Sequence, residues 1–175
     1  GLPFDYATAF APVSLVVLWP QLLTVRNGFP ARDFAGFLAH ARANPVTYGT
    51  PGNATAQHLA GELLRLRTGV RLEHVPYRGG ADAARDLSAG VVDAAFMTTS
   101  TALPVVQSGR VTVLAVATPE RLPAYPEAPT ISESGVPGFA LSDWCAMFAP
   151  AATPPATIAR VHAAVAFALA QPEVL

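Results

Sequence analysis

The stretch Tyr48-Gly49-Thr50-Pro51-Gly52-Asn53-Ala54-Thr55-Ala56-Gln57-His58-Leu59 decides how the rest of the chain is read. Val46 to Tyr48 can extend, Pro51 and Gly52 break the strand, and Gly52 can take the positive φ that a tight turn needs. Asn53 and Thr55 are both good N-cap residues. The helix predicted next carries Ala56, Leu59, Ala60, Leu63 and Leu64 on one face, and Gly69 stands where a helix stop belongs. A helix start of this kind presents backbone N–H groups and the positive end of the macrodipole, which together can bind an anion without a charged side chain. The same residues serve equally as an ordinary capped strand–turn–helix.

Upstream, Val13 to Val17 reads as a strand, and Leu22 to Val25 as a second strand or its continuation past Pro20; a proline inside such a run suggests an edge or crossing segment. Asn27-Gly28 marks a turn. Phe34, Phe37, Leu38 and Ala41 fall at i, i+3, i+4 and i+7, an amphipathic helix with Asp33 in its first turn, ended by Asn44-Pro45. Downstream, Leu72 to Val75 is a short strand, and Pro76-Tyr77-Arg78-Gly79-Gly80 leads into a helix from Ala81 to Ala89. Val91 to Met97 is an apolar strand interrupted by Asp93. Thr98-Thr99-Ser100-Thr101 starts a short helix that Gly109 stops, and Val111 to Ala117 is another apolar strand. Residues 22–118 therefore alternate strand and helix, which predicts a parallel α/β sheet covered on both faces. Ligands of such sheets bind outside the carboxyl ends of the strands. Three strand-to-helix junctions, 49–55, 76–80 and 98–101, are rich in Gly, Thr, Ser or Asn and poor in carboxylates. Converging on one crevice, they would make a pocket for a carboxylate or similar anion.

Composition narrows the classes. The chain has 175 residues, is 51% hydrophobic and 13% charged, and carries a net charge of −1, so it folds and shows no electrostatic footprint for nucleic acid. All 11 basic residues are Arg; without Lys, a Walker A loop, a Schiff-base site and a catalytic Lys are excluded within this sequence. The one cysteine, Cys145, makes no internal disulfide. No run of apolar residues reaches transmembrane length, and Gly1-Leu2-Pro3-Phe4-Asp5-Tyr6 is not a signal peptide. Beyond Ala117 the alternation stops. Residues 119–139 hold five prolines and read as a long connection, not a core element, with a capping box at Thr130-Ile131-Ser132-Glu133 for one short helix ended by Gly135. Trp144 to Phe148 reads as a strand. Thr153-Pro154-Pro155 opens a last helix with Ile158, Val161, Val165, Ala168 and Leu169 as its buried stripe.

Several motifs, in order, resemble a known family: Phe10-Ala11-Pro12-Val13, Tyr48-Gly49-Thr50 through His58-Leu59, His74-Val75-Pro76-Tyr77-Arg78-Gly79-Gly80, Gly90-Val91-Val92-Asp93, Arg121, Pro129 through Gly135, and Ala149-Pro150-Ala151-Ala152-Thr153-Pro154. They are similar to the extracytoplasmic solute receptors of tripartite tricarboxylate transporters, the Bug family, over essentially the whole chain. The resemblance implies a type II periplasmic-binding-protein-like fold of two α/β lobes closing on a ligand. Within it, residues 22–118 form one complete parallel-sheet lobe. Residues 1–21 are a fragment of the other lobe with the first crossing segment, and residues 119–175 are the Pro-rich return crossing and a further fragment. On this reading the chain is truncated at both ends, and the remnant lobe packs poorly, self-associates or leaves an exposed apolar face. The implied function is periplasmic capture of a small dicarboxylic, tricarboxylic or aromatic acid for membrane transporter subunits, with no cofactor, the carboxylates being held by backbone amides and ordered water.

The ligand-binding candidates are Thr50, Gly52, Asn53, Ala54 and Thr55 in the first junction, Arg78 and Gly79 in the second, and Thr98 and Thr99 in the third. Arg78 is the only cation of the three junctions and suits a carboxylate, although an ion pair with Asp82 four residues on would also occupy it. His58, Tyr77 and Asp93 are assigned behind them. His58 stands where a capping box would hold Glu or Gln, and Asp93, in an apolar strand, needs a partner and anchors the fold. Trp19 and Trp144 are read as core or hinge residues. No His pair or His–carboxylate spacing supports a metal. An enzyme would need a nucleophile and base, and neither a Gly-x-Ser-x-Gly elbow nor a nucleotide loop is present. A carboxylate sensor meeting a signalling partner, and a small hydrolase, are the competing readings.

Overall fold

The computed structural model describes residues 5–172. In chain order the elements are α1 (Tyr6–Ala9), β1 (Phe10–Arg26), α2 (Phe34–Ala43), β2 (Val46–Thr50), α3 (Ala56–Thr68), β3 (Leu72–Pro76), α4 (Gly80–Ser88), β4 (Ala94–Thr98), α5 (Thr99–Gln107), β5 (Val111–Val116), β6 (Ser142–Pro150) and α6 (Pro155–Leu169). The sheet order is β3-β2-β4-β1-β5, and β6 also pairs with β1. The chain divides into two compact units, one of Trp19–Asp143 and one of Gly1–Leu18 with Trp144–Leu175.

In the first of these, β2 runs parallel to both β3 and β4. β1 runs antiparallel to β4 and β5, so the sheet is mixed, with one reversed strand inside an otherwise parallel set. Residues Gln21 to Val25 are buried on both faces. Such a run marks a central strand but carries no sign of its direction. β1 is also one strand through Pro20, not two, because the ladder to β4 begins only at Gln21 opposite Thr98. Alternation on β1 and β4 then feeds two cores. Leu23, Val25 and Phe96 join Phe34, Phe37, Tyr48 and Leu64 under α2 and α3. Leu22, Ala95 and Met97 join Ala84, Leu87 and Ala102 under α4 and α5.

Caps fall mostly as the residue types require. Asp33 caps α2 from just outside it, accepting from Gly36 N at 2.7 Å. Gly69 closes α3 in the left-handed region at φ 71°. The buried face of α3 is Gln57, Ala60, Gly61 and Leu64, and Leu59 stays exposed. The face is rotated from the expected one because α3 sits directly on Tyr48: a Cβ on Gly61 would lie 2.2 Å from Tyr48 Cε2. β4 begins at Ala94, not Val91, since Val91 to Asp93 form a bend. The Pro-rich connection is no mere linker: Ala128, Ile131, Val136 and Phe139 are buried. Its capping-box bond forms, Glu133 N donating to Thr130 Oγ1 at 2.9 Å, but only turns follow. Ile131 N is engaged by Val116 O at 2.9 Å, and Gly135 at φ 107° ends the run.

The second unit holds the first half of β1, most of β6, and α6. The expected buried stripe of α6 is not buried: Ile158, Val165 and Leu169 are half-buried, while Val161 and Ala168 are exposed. Among the described residues this unit holds two strand segments, too little sheet for a helix to close a core against. His162 Nδ1 lies 2.9 Å from Val13 O, so that nitrogen carries the proton. Trp144 and Cys145 are both exposed.

Candidate functional site

Because β3, β2 and β4 are adjacent and parallel, their carboxyl ends at Pro76, Thr50 and Thr98 share one edge of the sheet. The three junctions singled out in the sequence therefore meet there. Tyr77 N donates to Thr50 O at 2.9 Å, joining the first and second. A Cβ on Gly80 would lie 3.2 Å from Thr101, bringing the second against the third.

The first junction is the most ordered by its own bonds. Thr55, not Asn53, is the N-cap of α3, its hydroxyl accepting from His58 N at 3.3 Å and donating to Gly52 O at 2.9 Å. Gly52 has φ 144° and Ala54 φ 60°, conformations that curl the backbone around the helix start. Ala54 N donates to His58 Nδ1 at 3.0 Å, and Gly52 N to Thr50 Oγ1 at 3.3 Å. Two of the loop amides are thus held by the protein's own side chains, while Ala56 and Gln57 open the helix without intrahelical acceptors. His58 supports the loop from behind, stacked on His74 with ring centroids 3.9 Å apart. His74 Nε2 in turn lies 2.6 Å from Thr50 Oγ1. Burial pushes the His74 imidazole below its ordinary pKa, and the neighbouring His58 adds to this, against the pull of Glu62. Glu62 is held below the usual carboxylate range first by Arg65 and accepts from Tyr48 Oη at 3.3 Å. Burial, then Glu62, drives the Tyr48 phenol upward.

In the second junction Gly79 is the N-cap of α4 without a side-chain cap bond. Arg78 is exposed and has no ion pair among the described residues. Asp82 is taken by Arg85 at 3.0 Å, not by Arg78. Tyr77 turns its ring into the protein beneath Gly49, whose added Cβ would sit 3.1 Å from it. In the third, Thr98 is the N-cap of α5, accepting from Thr101 N at 3.3 Å and facing Ser100 Oγ at 3.1 Å, and Thr99 is half-buried.

Asp93 does not belong with these groups. It lies ahead of β4 at the opposite edge of the sheet, bonded to Arg26 Nε at 2.9 Å and to Thr47 N at 3.2 Å. Burial opposes its charge, but these donors outweigh it and hold the carboxyl below its ordinary value. Its role as an anchor of the fold stands; its assignment behind the site does not. The structure also adds groups that the sequence did not mark. His74 is one, brought beside the loop by the pairing of Tyr48 with His74, a register no local pattern announces. Gln57, Gln21 and Asp143 are others, joined by hydrogen bonds of both amides to the Asp143 carboxylate. A groove of about 760 Å³ lies between α4 and α5, and of its lining residues Ser100 and Thr101 belong to the third junction. Its Arg85 is already paired with Asp82 and Asp86, while Arg110, which also lines it, has no ion pair among the described residues.

The whole of this chain, residues 1–175, matches the model of a family described as tripartite tricarboxylate transporter family receptor. The chain belongs to that family. Members of this receptor family and their structural neighbours are solute-binding proteins, not enzymes. The chain is 38% identical over 177 residues to the UPF0065 protein in the tcbD-tcbE intergenic region of Pseudomonas sp. strain P51, covering 99% of this chain and 53% of that protein. It is similar to the structure of R. palustris Rpa4515 with adipate, with a TM-score of 0.86 and 34% identity over 98% of this chain and 58% of the other. MatC (Rpa3494) from Rhodopseudomonas palustris with bound malate gives a TM-score of 0.80 and 32% identity over 94% of this chain and 57% of the other. The chain thus spans about half the length of the relatives it matches. Among the described residues no helix is long and apolar enough to cross a membrane. The fold is also similar to that of the periplasmic binding protein BugD, with a TM-score of 0.84 and 31% identity over 95% of this chain and 57% of the other.

Proposed function

We propose that the protein captures a small carboxylic acid, most simply a dicarboxylate, in the periplasm and delivers it to membrane transporter subunits. Within that reading, residues 19–143 act as one lobe of a two-lobed receptor, and residues 1–18 and 144–175 belong with the other. One carboxylate lies at the start of α3, facing the backbone of Gly52, Asn53, Ala54 and Thr55. Gly79 offers a second backbone approach, Thr98 and Thr99 offer hydroxyls, and Arg78 supplies the charge-assisted bond. The observation that carries this is the shared edge of β3, β2 and β4, which gathers three donor-rich junctions devoid of carboxylates. The adipate and malate in the similar structures make a diacid the natural first probe.

Calorimetry with C4 to C6 diacids on the full-length protein tests the reading. Gly52→Val is the decisive variant, because its φ of 144° is a region that branched side chains do not adopt without strain. A fall in affinity of about tenfold or more in a folded Gly52→Val protein is expected. Unchanged affinity removes this loop from the site, and absence of binding of every diacid, amino-substituted ones included, by the parent overturns the carboxylate reading.

A further inference from the structure

One carboxylate does stand at the same edge, outside the three junctions. Asp143 Oδ2 accepts from Gln57 Nε2 at 2.8 Å and from Gln21 Nε2 at 3.2 Å. Gln57 is the second residue of α3, and Gln21 lies opposite Thr98 in the ladder. Asp143 is therefore within side-chain reach of the first junction and one strand from the third.

Its orientation is enforced. Gln21 is fully buried, and its Nε2 also donates to Trp19 O at 3.1 Å. Flipping that amide would set its oxygen against both a carboxylate and a carbonyl. The observed orientation leaves Gln21 Oε1 buried with no partner, an arrangement proteins seldom keep without a purpose. Both donors are neutral and both act on Oδ2. Asp143 Oδ1 has no hydrogen-bond partner and no cation pairs with the group among the described residues. The result is a rigid, half-buried negative charge with one oxygen to spare, beside a helix start that attracts anions.

We propose that Asp143 selects, among small carboxylates, those that also carry an ammonium group. This rests on the carboxylate reading given above. A plain diacid reaching the helix start meets like-charge repulsion from Asp143. An acid with an amino group near its carboxylate turns that repulsion into a charge-assisted hydrogen bond to Oδ1. The ligand class is therefore the amino dicarboxylates or a similar amino acid, with Asp143 a specificity-determining contact and Gln21 and Gln57 its positioning residues.

Matched pairs separate this inference from the reading beneath it. Calorimetry on the full-length protein would compare succinate with aspartate, glutarate with glutamate, and adipate with 2-aminoadipate, for the parent and for Asp143→Asn. Asn keeps an acceptor for Gln57 and removes the charge; Asp143→Ser serves if that variant does not fold. The parent should favour the amino member of at least one pair by about tenfold or more, and the variant should narrow that ratio to about twofold, chiefly by gaining on the plain diacid. A parent that binds plain diacids as well as their amino partners, or a variant that keeps the parent's ratio, overturns the role of Asp143 and leaves the carboxylate receptor intact. No binding in any pair overturns both.

Discussion

The two units of this chain use their apolar residues in opposite ways, and the unit that leaves them exposed is the richer in them. In Trp19–Asp143, Phe34, Phe37, Phe96, Leu64 and Leu87 are at most 1% exposed, with helices on both faces of the sheet. In the other unit, Phe10, Leu15, Trp144, Phe148 and Phe167 are 45% to 71% exposed. The difference lies in layers rather than composition: α2 and α3 have five strands to lie on, while α6 has two segments. Apolar periodicity names the face a helix would bury, and only a second layer of sufficient width buries it.

Substitutions can break or sharpen this contrast. The largest effect is expected from Gly61→Ala, which puts a methyl group where the Tyr48 ring now lies, 2.2 Å from Cε2. Overpacking of this kind should cost about 1–3 kcal/mol, read from the midpoint of urea unfolding; a neutral result would mean that α3 slides freely on β2. A smaller effect should come from pH. His74 is held below its ordinary pKa by burial and by His58, so the folded state binds fewer protons than the unfolded one below about 6.5. Its contribution is full above that value and is lost as pH falls through it toward the folded pKa. Thermal melts from pH 7.5 to 5 should show stability falling, and His74→Gln should flatten that slope; an equal slope in the variant would remove His74 as the cause. The smallest effect is expected from Phe167→Ser at 71% exposure, within about 0.5 kcal/mol. A larger loss, or a change in sedimentation, would mean that this face is covered in solution by another copy.

Much of the packed unit was legible in advance. Turn and cap residues spoke for themselves: Gly52 and Gly69 took positive φ, Thr55 capped α3, and the three junctions came to one edge because strands alternating with helices run parallel. What stayed hidden was set by partners distant in sequence. The reversed direction of β1 is not encoded in a run buried on both faces. The rotation of α3 toward Gln57 and Gly61 follows from Tyr48 beneath it. A carboxylate in an apolar run announces that Asp93 needs a partner, but only the pairing with Arg26 and Thr47 puts it at the far edge. The Pro-rich connection, read as a linker, covers the core because four apolar residues within it meet the sheet. His74, Gln21 and Asp143 gave no local signal, since each acquires its role across 24 residues or more.

Cys145 makes the chain convenient to interrogate. It is the lone thiol, it is exposed, and it follows Asp143 by two residues on β6. A maleimide fluorophore would react there and nowhere else, placing an environment-sensitive dye next door to the proposed selectivity determinant without any engineered mutation. Titrating such a conjugate with candidate metabolites would turn ligand discovery into an optical screen.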